Sequence, residues 1–363
     1  MARVTRAPSN RTTPRQLGFR MPAEWAPHEA TWLAWPHEKT DWPGKFAPIP
    51  WLYGEIVRRL ARVERVRILA ENRDEEQSAR RVLKKCGADL SAVEFFHAKT
   101  NRSWTRDFGP IFVKNDRGQV GLTNWQFNGW AKYDDWRHDD AVNAKLIPKL
   151  KLPAWEPTHC GRRVVLEGGS IDVNGHGTLM TTEECLLSPV QARNPGFTRE
   201  DLAQVFCEYL GATHVLWPKN GIAGDDTHGH VDDLARFVNP STIVAVIEED
   251  RAEANYEPLQ ENFARLREMK DQDGQPLRVE TLPMPEPVYF AGQRLPASYA
   301  NLYIANRVVL MPTFNDPKDR IALNTLARLF PDREVVGIAC TDLVLGLGTL
   351  HCMTQQQPAA GPN

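Results

Sequence analysis

One pattern constrains this chain more than any other: a short β-hairpin that returns at a nearly constant interval. Its β-rich runs cover residues 111–113 and 120–122, then 171–173 and 178–180, then 234–238 and 243–246, then 302–304 and 308–310. Each pair flanks Gly, Asn or Pro turn residues, as in Asn174-Gly175-His176-Gly177 or Asn239-Pro240, which is the signature of a hairpin. The hairpins begin at residues 111, 171, 234 and 302, intervals of 60, 63 and 68 residues.

After most hairpins the apolar spacing changes to that of a helix. Amphipathic helices are predicted over residues 198–210, 254–269 and 317–330, with Thr198 as N-cap and Glu200 and Asp201 in the first turn. Further β-rich runs at 214–217, 277–282 and 334–339 close these units. The N-terminal region supplies a similar set: a strand over 31–35, a helix near 51–63 and a strand over 66–70. The unit is strand, strand, helix, strand, and 363 residues hold about five of them. No Gly- or Ser-rich linker interrupts the series. A fixed period of this kind predicts a closed, radial repeat, one α/β domain rather than two unrelated ones.

Composition limits the function. With 44 basic and 46 acidic residues the net charge is −2, which gives no reason to expect nucleic acid or an anionic membrane as partner. No apolar run approaches the roughly 20 residues of a membrane helix. The first twenty residues are Arg-rich and free of acidic side chains, a composition shared by transit peptides, though a frayed extension is the plainer reading. Six cysteines are scattered without a C-x-x-C pair, and no secretory signal precedes them. The expectation is reduced thiols in the cytoplasm. Cys86, Cys160, Cys185, Cys207 and Cys340 read as structural thiols; Cys352, beside His351, keeps different company.

Polar clusters recur at one phase of the repeat. Trp104-Thr105-Arg106-Asp107-Phe108-Gly109-Pro110 leads into the first hairpin and Glu167-Gly168-Gly169-Ser170 into the second. Asp225-Asp226-Thr227-His228-Gly229-His230-Val231-Asp232-Asp233 leads into the third, and Ser298-Tyr299-Ala300-Asn301 into the fourth. Gly346-Leu347-Gly348-Thr349-Leu350-His351-Cys352 ends the series. If the units surround an axis, these segments meet on it and bring Asp, Glu, His, Asn and Cys into one pocket. Taken singly, each has a plain reading: Gly-Gly a turn, Asp107 beside Arg106 a surface pair. Their recurrence favours a shared site. His230 and Asp232, two apart at the start of a predicted strand, would share a face, whereas His351 would point away from Cys352. That makes the distant His230 the expected acid and base. A zinc site built on His228, His230 and nearby acids is the weaker alternative, because it leaves the Cys352 segment without a role.

In combination, these motifs resemble the agmatine deiminases and the wider group that includes the bacterial peptidylarginine deiminases. Met21-Pro22-Ala23-Glu24-Trp25 belongs to the match, as does the run from Leu350 to Gln356. The resemblance implies the pentein fold, a five-bladed α/β propeller, as a single catalytic domain over residues 18–358. A disordered extension over 1–17 would precede it and a tail over 359–363 would follow. By the same resemblance Cys352 is the nucleophile, His230 the acid and base, and Glu167 its acidic neighbour. Asp107 and Asp232 are the guanidinium-binding carboxylates, Trp104 covers the substrate, and Asn301 lines the site. It implies a reaction without metal or cofactor, in which agmatine becomes N-carbamoylputrescine and ammonia through a covalent thiouronium. Peptidylarginine or another free guanidine is the nearest alternative substrate, amidino transfer another reaction, and a non-catalytic binding protein a rival of another class. A homo-oligomer is compatible with the sequence. Two departures stand out: Leu347 where many members have Gly, and Asp233 where many have Asn.

Overall fold

The structure, a computed structural model, describes residues 12–361. Five sheets of three or four strands repeat one connectivity. In the third unit Asp172–Val173 pairs antiparallel with Thr178–Met180, which pairs parallel with His214–Leu216. The fourth repeats this with Ala235–Asn239, Thr242–Ile247 and Arg278–Pro283, and the fifth with Tyr303–Ile304, Val308–Thr313 and Glu334–Ala339. A tight turn suffices for the antiparallel step, but a parallel neighbour needs a crossover, and the helix supplies it. The repeat predicted from hairpin spacing is therefore the repeat observed.

The helix over Arg199–Leu210 shows why these residues cross over as helices. Thr198 accepts the Asp201 amide while the Asp201 carboxylate accepts the Thr198 amide, closing a capping box. Leu202, Val205, Phe206, Tyr209 and Leu210 form its buried face, the 3–4 spacing of a core-facing stripe. Each such side chain contributes roughly 1.5–3 kcal/mol on full burial. Tyr256–Glu268 and Lys318–Leu329 occupy the same place in the next two units.

The first two units depart from the simple repeat. The sheet of His28–Ala34, Arg65–Ala70 and Val93–His97 takes its antiparallel edge from the C-terminal strand Gln355–Pro358, so the chain's last strand closes its first unit. In the second, Phe19–Arg20 pairs antiparallel with Ile111–Asn115, beside Val120–Thr123 and Ala154–Trp155. Phe19–Arg20 leaves little room for the expected disorder up to residue 17. Arg15–Leu17 form a 3-10 turn, and the Trp155 indole donates to the Thr12 carbonyl at 3.0 Å. Residues 1–11 lie outside the described residues. Of the tail, Ala359 donates to the Pro27 carbonyl at 2.8 Å and Gly361 to that of Gly118 at 3.0 Å. Among the described residues, no helix is long and apolar enough to cross a membrane.

Candidate active site

The five polar clusters do meet. Cys352 lies on the short helix Leu350–Met353, buried on the floor of a cleft of about 500 Å³. Its Sγ accepts the Asn301 amide at 3.0 Å and stands 3.6 Å from Asp232 Oδ2. Asn301 also staples the turn itself, because its Oδ1 accepts the His351 amide at 2.9 Å and the Thr349 hydroxyl at 2.7 Å. Burial, then the charges of Asp232, Asp233 and Asp107, push the Cys352 thiol well above its ordinary value.

His230 is fully buried between three carboxylates. Its Nδ1 is 3.9 Å from Asp107 Oδ1 and 4.0 Å from Asp232 Oδ1, and its Nε2 is 3.7 Å from Glu167 Oε2. Burial works against its charge, but Asp107, the neighbouring Cys185 thiol and Glu167 together hold the imidazole well above its ordinary value. It therefore rests as a cation. The loop that delivers it is wound on Asp225, whose carboxylate accepts the amides of Thr227, Gly229 and His230. His230 precedes a 3-10 turn, Val231–Asp233, rather than starting a strand. The convergence of His230 and Asp232 therefore comes from turn geometry, not from strand alternation.

Asp107 and Asp232 face the same space with different supports. Asp107 accepts the Trp130 indole at 2.9 Å and the Gly169 amide at 3.0 Å. Burial raises its carboxyl to about 6, with His230 opposing and Asp232 and Glu167 adding to the rise. Asp232 is equally buried, but His351 at 2.7 Å outweighs the burial and keeps its carboxyl below the usual range. Glu167 is held by Arg193 at 3.1 Å, which pulls it down to about 2 against its burial. Gly169 has to be glycine: a Cβ there would lie 2.6 Å from His230 Nδ1 and 2.8 Å from Asp107 Oδ1. Trp104 packs over the nucleophile, 5.6 Å from the ring of Trp42, with Gly346 and Gly348 as the only fit beneath the two indoles.

His351 does turn away from Cys352, as expected, but for another reason. On a helical turn adjacent side chains diverge by about 100°, and His351 points beneath the site into a buried polar cluster. Asp233 stays neutral: burial, then Asp232 and Asp225, raise it far above the carboxylate range, so it accepts from Asn301 at 2.9 Å much as an Asn carbonyl would. The departure from Asn at this position is chemically small.

His228 is bound to Ser188 at 3.1 Å and lies partly exposed, so the zinc alternative loses one of its histidines. A different trio, Glu167, Cys185 and His230, brings its donor atoms within 4.8 Å of one another. Arg193 already compensates Glu167 there, and a cation seated among them would meet the guanidinium. Sequence reasoning passed over Arg193, Trp130, Cys185 and the buried role of Glu24. None of them falls at the phase of the repeat that singled out the other residues.

A chain of this build can attack a planar cation from below while two carboxylates grip it and a histidine shuttles protons. The family model of the Porphyromonas-type peptidyl-arginine deiminases matches residues 20–358. An agmatine deiminase of Pseudomonas aeruginosa (strain LESB58) is 35% identical, over 96% of this chain and 98% of that protein. An agmatine deiminase structure from Enterococcus faecalis superposes with a TM-score of 0.89 at 32% identity, covering 98% of this chain and 100% of that one. One from C. jejuni with substrate bound gives 0.83 at 32% identity, covering 95% and 97%. The pentein expectation holds with them. The chain belongs to the family of Porphyromonas-type peptidyl-arginine deiminases.

Proposed function

We propose that this protein is an agmatine deiminase, hydrolysing agmatine to N-carbamoylputrescine and ammonia within one catalytic domain over residues 18–358. The observation that carries the reading is the seating of Cys352 Sγ beneath two buried carboxylates, Asp107 and Asp232, with a charged His230 between them. A guanidinium is planar and cationic, and paired carboxylates recognise it by forked hydrogen bonds. The Trp104 face suits the same cation.

The charges order the steps. Without substrate the acids hold the Cys352 thiol protonated. A guanidinium between Asp107 and Asp232 offsets them, and the thiol releases its proton to solvent. The thiolate adds to the guanidinium carbon. His230, already protonated, gives its proton to the departing nitrogen, so that ammonia leaves and a thiouronium remains on Cys352. The neutral His230 then takes a proton from water as the water attacks. The carbon–sulfur bond breaks, and the ureido product leaves. Glu167 and Arg193 fix the imidazole from behind. No step calls for a metal or an organic cofactor.

A second reading keeps the chemistry and changes the substrate. Arg102 lines the mouth of the cleft, where it can meet the carboxylate of arginine or the backbone of a C-terminal peptidyl arginine. Ammonia release measured across agmatine, arginine and a peptidyl arginine decides between them. Turnover of agmatine with the highest kcat/KM is expected; no turnover of agmatine excludes the first reading.

A further inference from the structure

His351 is the best-held ring in the protein and has no step in the reaction. Its Nδ1 lies 2.7 Å from Asp232 Oδ2 and its Nε2 2.8 Å from Glu24 Oε2, and all three side chains are buried. Its backbone is pinned as well: the amide donates to Asn301 Oδ1, and the carbonyl accepts Arg106 Nε at 3.3 Å. Glu24 has further partners in Arg236 at 2.8 Å, Arg106 at 3.4 Å and the Ile304 amide at 2.7 Å. It is therefore an ionised carboxylate, as is Asp232. Ionised carboxylates only accept hydrogen bonds, so both ring nitrogens of His351 must donate.

The other oxygen of Asp232 is left over. Oδ1 is buried, has no hydrogen-bond partner and faces His230 Nδ1 across 4.0 Å. Buried acceptors without partners are rare and call for an explanation; a guanidinium N–H is the donor that fits here. We propose that His351 is a positioning residue for the reaction at Cys352: with a hydrogen on each ring nitrogen it ties one oxygen of Asp232 down to Glu24 and leaves the other free for the guanidinium. The proposal rests on the deiminase reading above. It also explains why two aspartates with one task differ: Asp107 has only the neutral donors Trp130 and Gly169 beneath it, Asp232 a cation.

Two measurements test this. In ligand-free, 15N-labelled wild-type protein at pH 7.5, with His351 assigned through backbone connectivity, both ring nitrogens are expected at imidazolium shifts. His351→Gln keeps one donor to Asp232 and removes the charge. If the variant folds, the KM for agmatine is expected to rise at least tenfold, and the acid limb of kcat/KM to move up by a pH unit or more. A residue that merely fills space would lower stability without moving that limb. A neutral ring in the wild type overturns the proposal, as does a folded H351Q enzyme with the wild-type KM and pH profile. If wild-type protein does not turn over agmatine, the deiminase reading falls instead; the ring shifts, read without substrate, still decide on His351.

Discussion

The sulfur of Cys352 stands 3.6 Å from a carboxylate oxygen of Asp232, so the nucleophile of the ligand-free protein sits in a negative field. That arrangement keeps the thiol protonated until a cation arrives. Asp232→Asn should therefore lower the thiol's pKa in the free protein, seen as faster alkylation by iodoacetamide at pH 7. The same change should cut agmatine turnover by ~100-fold or more, since a group that grips the transition state is lost. Faster alkylation together with slower turnover is the diagnostic pair. Alkylation that slows or stays constant would remove the electrostatic account.

Asp107 predicts the acid side of the pH profile. With its carboxyl raised to about 6, protonation below that pH removes half of the guanidinium clamp. The kcat/KM for agmatine, which reports groups of the free enzyme, should fall about tenfold per unit below pH 6. The Trp130 indole favours the ionised form of Asp107, so Trp130→Phe should raise that carboxyl further and move the limb to higher pH. A limb that moves down in W130F would contradict the assignment.

Gly169 separates a steric requirement from a turn requirement. A methyl group there would lie 3.0 Å or less from His230 Nδ1, Asp107 Oδ1 and Asp232 Oδ2, in the space where those three side chains face a guanidinium. Gly169→Ala is expected to leave the circular dichroism unchanged and to lower kcat/KM by ~100-fold, the scale of an ångström of misplacement at reacting atoms. Near-normal activity would mean that the guanidinium sits elsewhere.

Arg193 offers a stability test. It lies against Glu167 with both side chains fully buried. Glu167 is depressed from 4.5 to about 2, so the stabilisation from this pair is complete above pH 4.5 and is lost as pH falls through about 2. Arg193→Met leaves an unpaired buried carboxylate, and the expected cost is ~3–5 kcal/mol at pH 7 by urea denaturation. The loss should shrink as the pH is lowered towards the range where Glu167 can protonate.

The chain displays some of this plainly and hides the rest. Long elements with a clear period, such as Arg199–Leu210 and Glu334–Ala339, were legible because burial imposes a period of 3.6 or 2. The site residues were legible because a repeat puts its polar clusters at one phase. Val231–Asp233 and Leu350–Met353 are three and four residues long, too short for any period, and were read as strand. The closing strand Gln355–Pro358 was unreadable for the opposite reason. All four residues are buried, and the glutamines serve as acceptors: Gln355 and Gln356 take Arg106, and Gln357 takes Trp32 and Arg67. Trp130 reaches Asp107 from a left-handed backbone position, φ 57, which no propensity favours for tryptophan.

Leu347 is where this chain parts from many relatives, and its backbone makes the departure informative. Its φ is 68, a conformation that costs a side-chain-bearing residue about 1–2 kcal/mol. Glycine would remove that strain, though the gain is offset by its larger entropy loss of about 0.5–1 kcal/mol. Leu347→Gly should thus leave stability equal or up to ~1 kcal/mol higher, measured by urea denaturation. Stability is therefore no reason to keep leucine here. The side chain lines the cleft beside Trp104 and Cys352, where it can cover the methylene chain of the substrate. Losing that apolar wall should raise the KM for agmatine roughly tenfold, the low end of what one hydrophobic contact contributes to discrimination. A bulkier guanidine such as a peptidyl arginine should suffer less, because the wider cleft admits it. An unchanged ratio of kcat/KM values for the two substrates would detach Leu347 from substrate choice and leave its strain without a function.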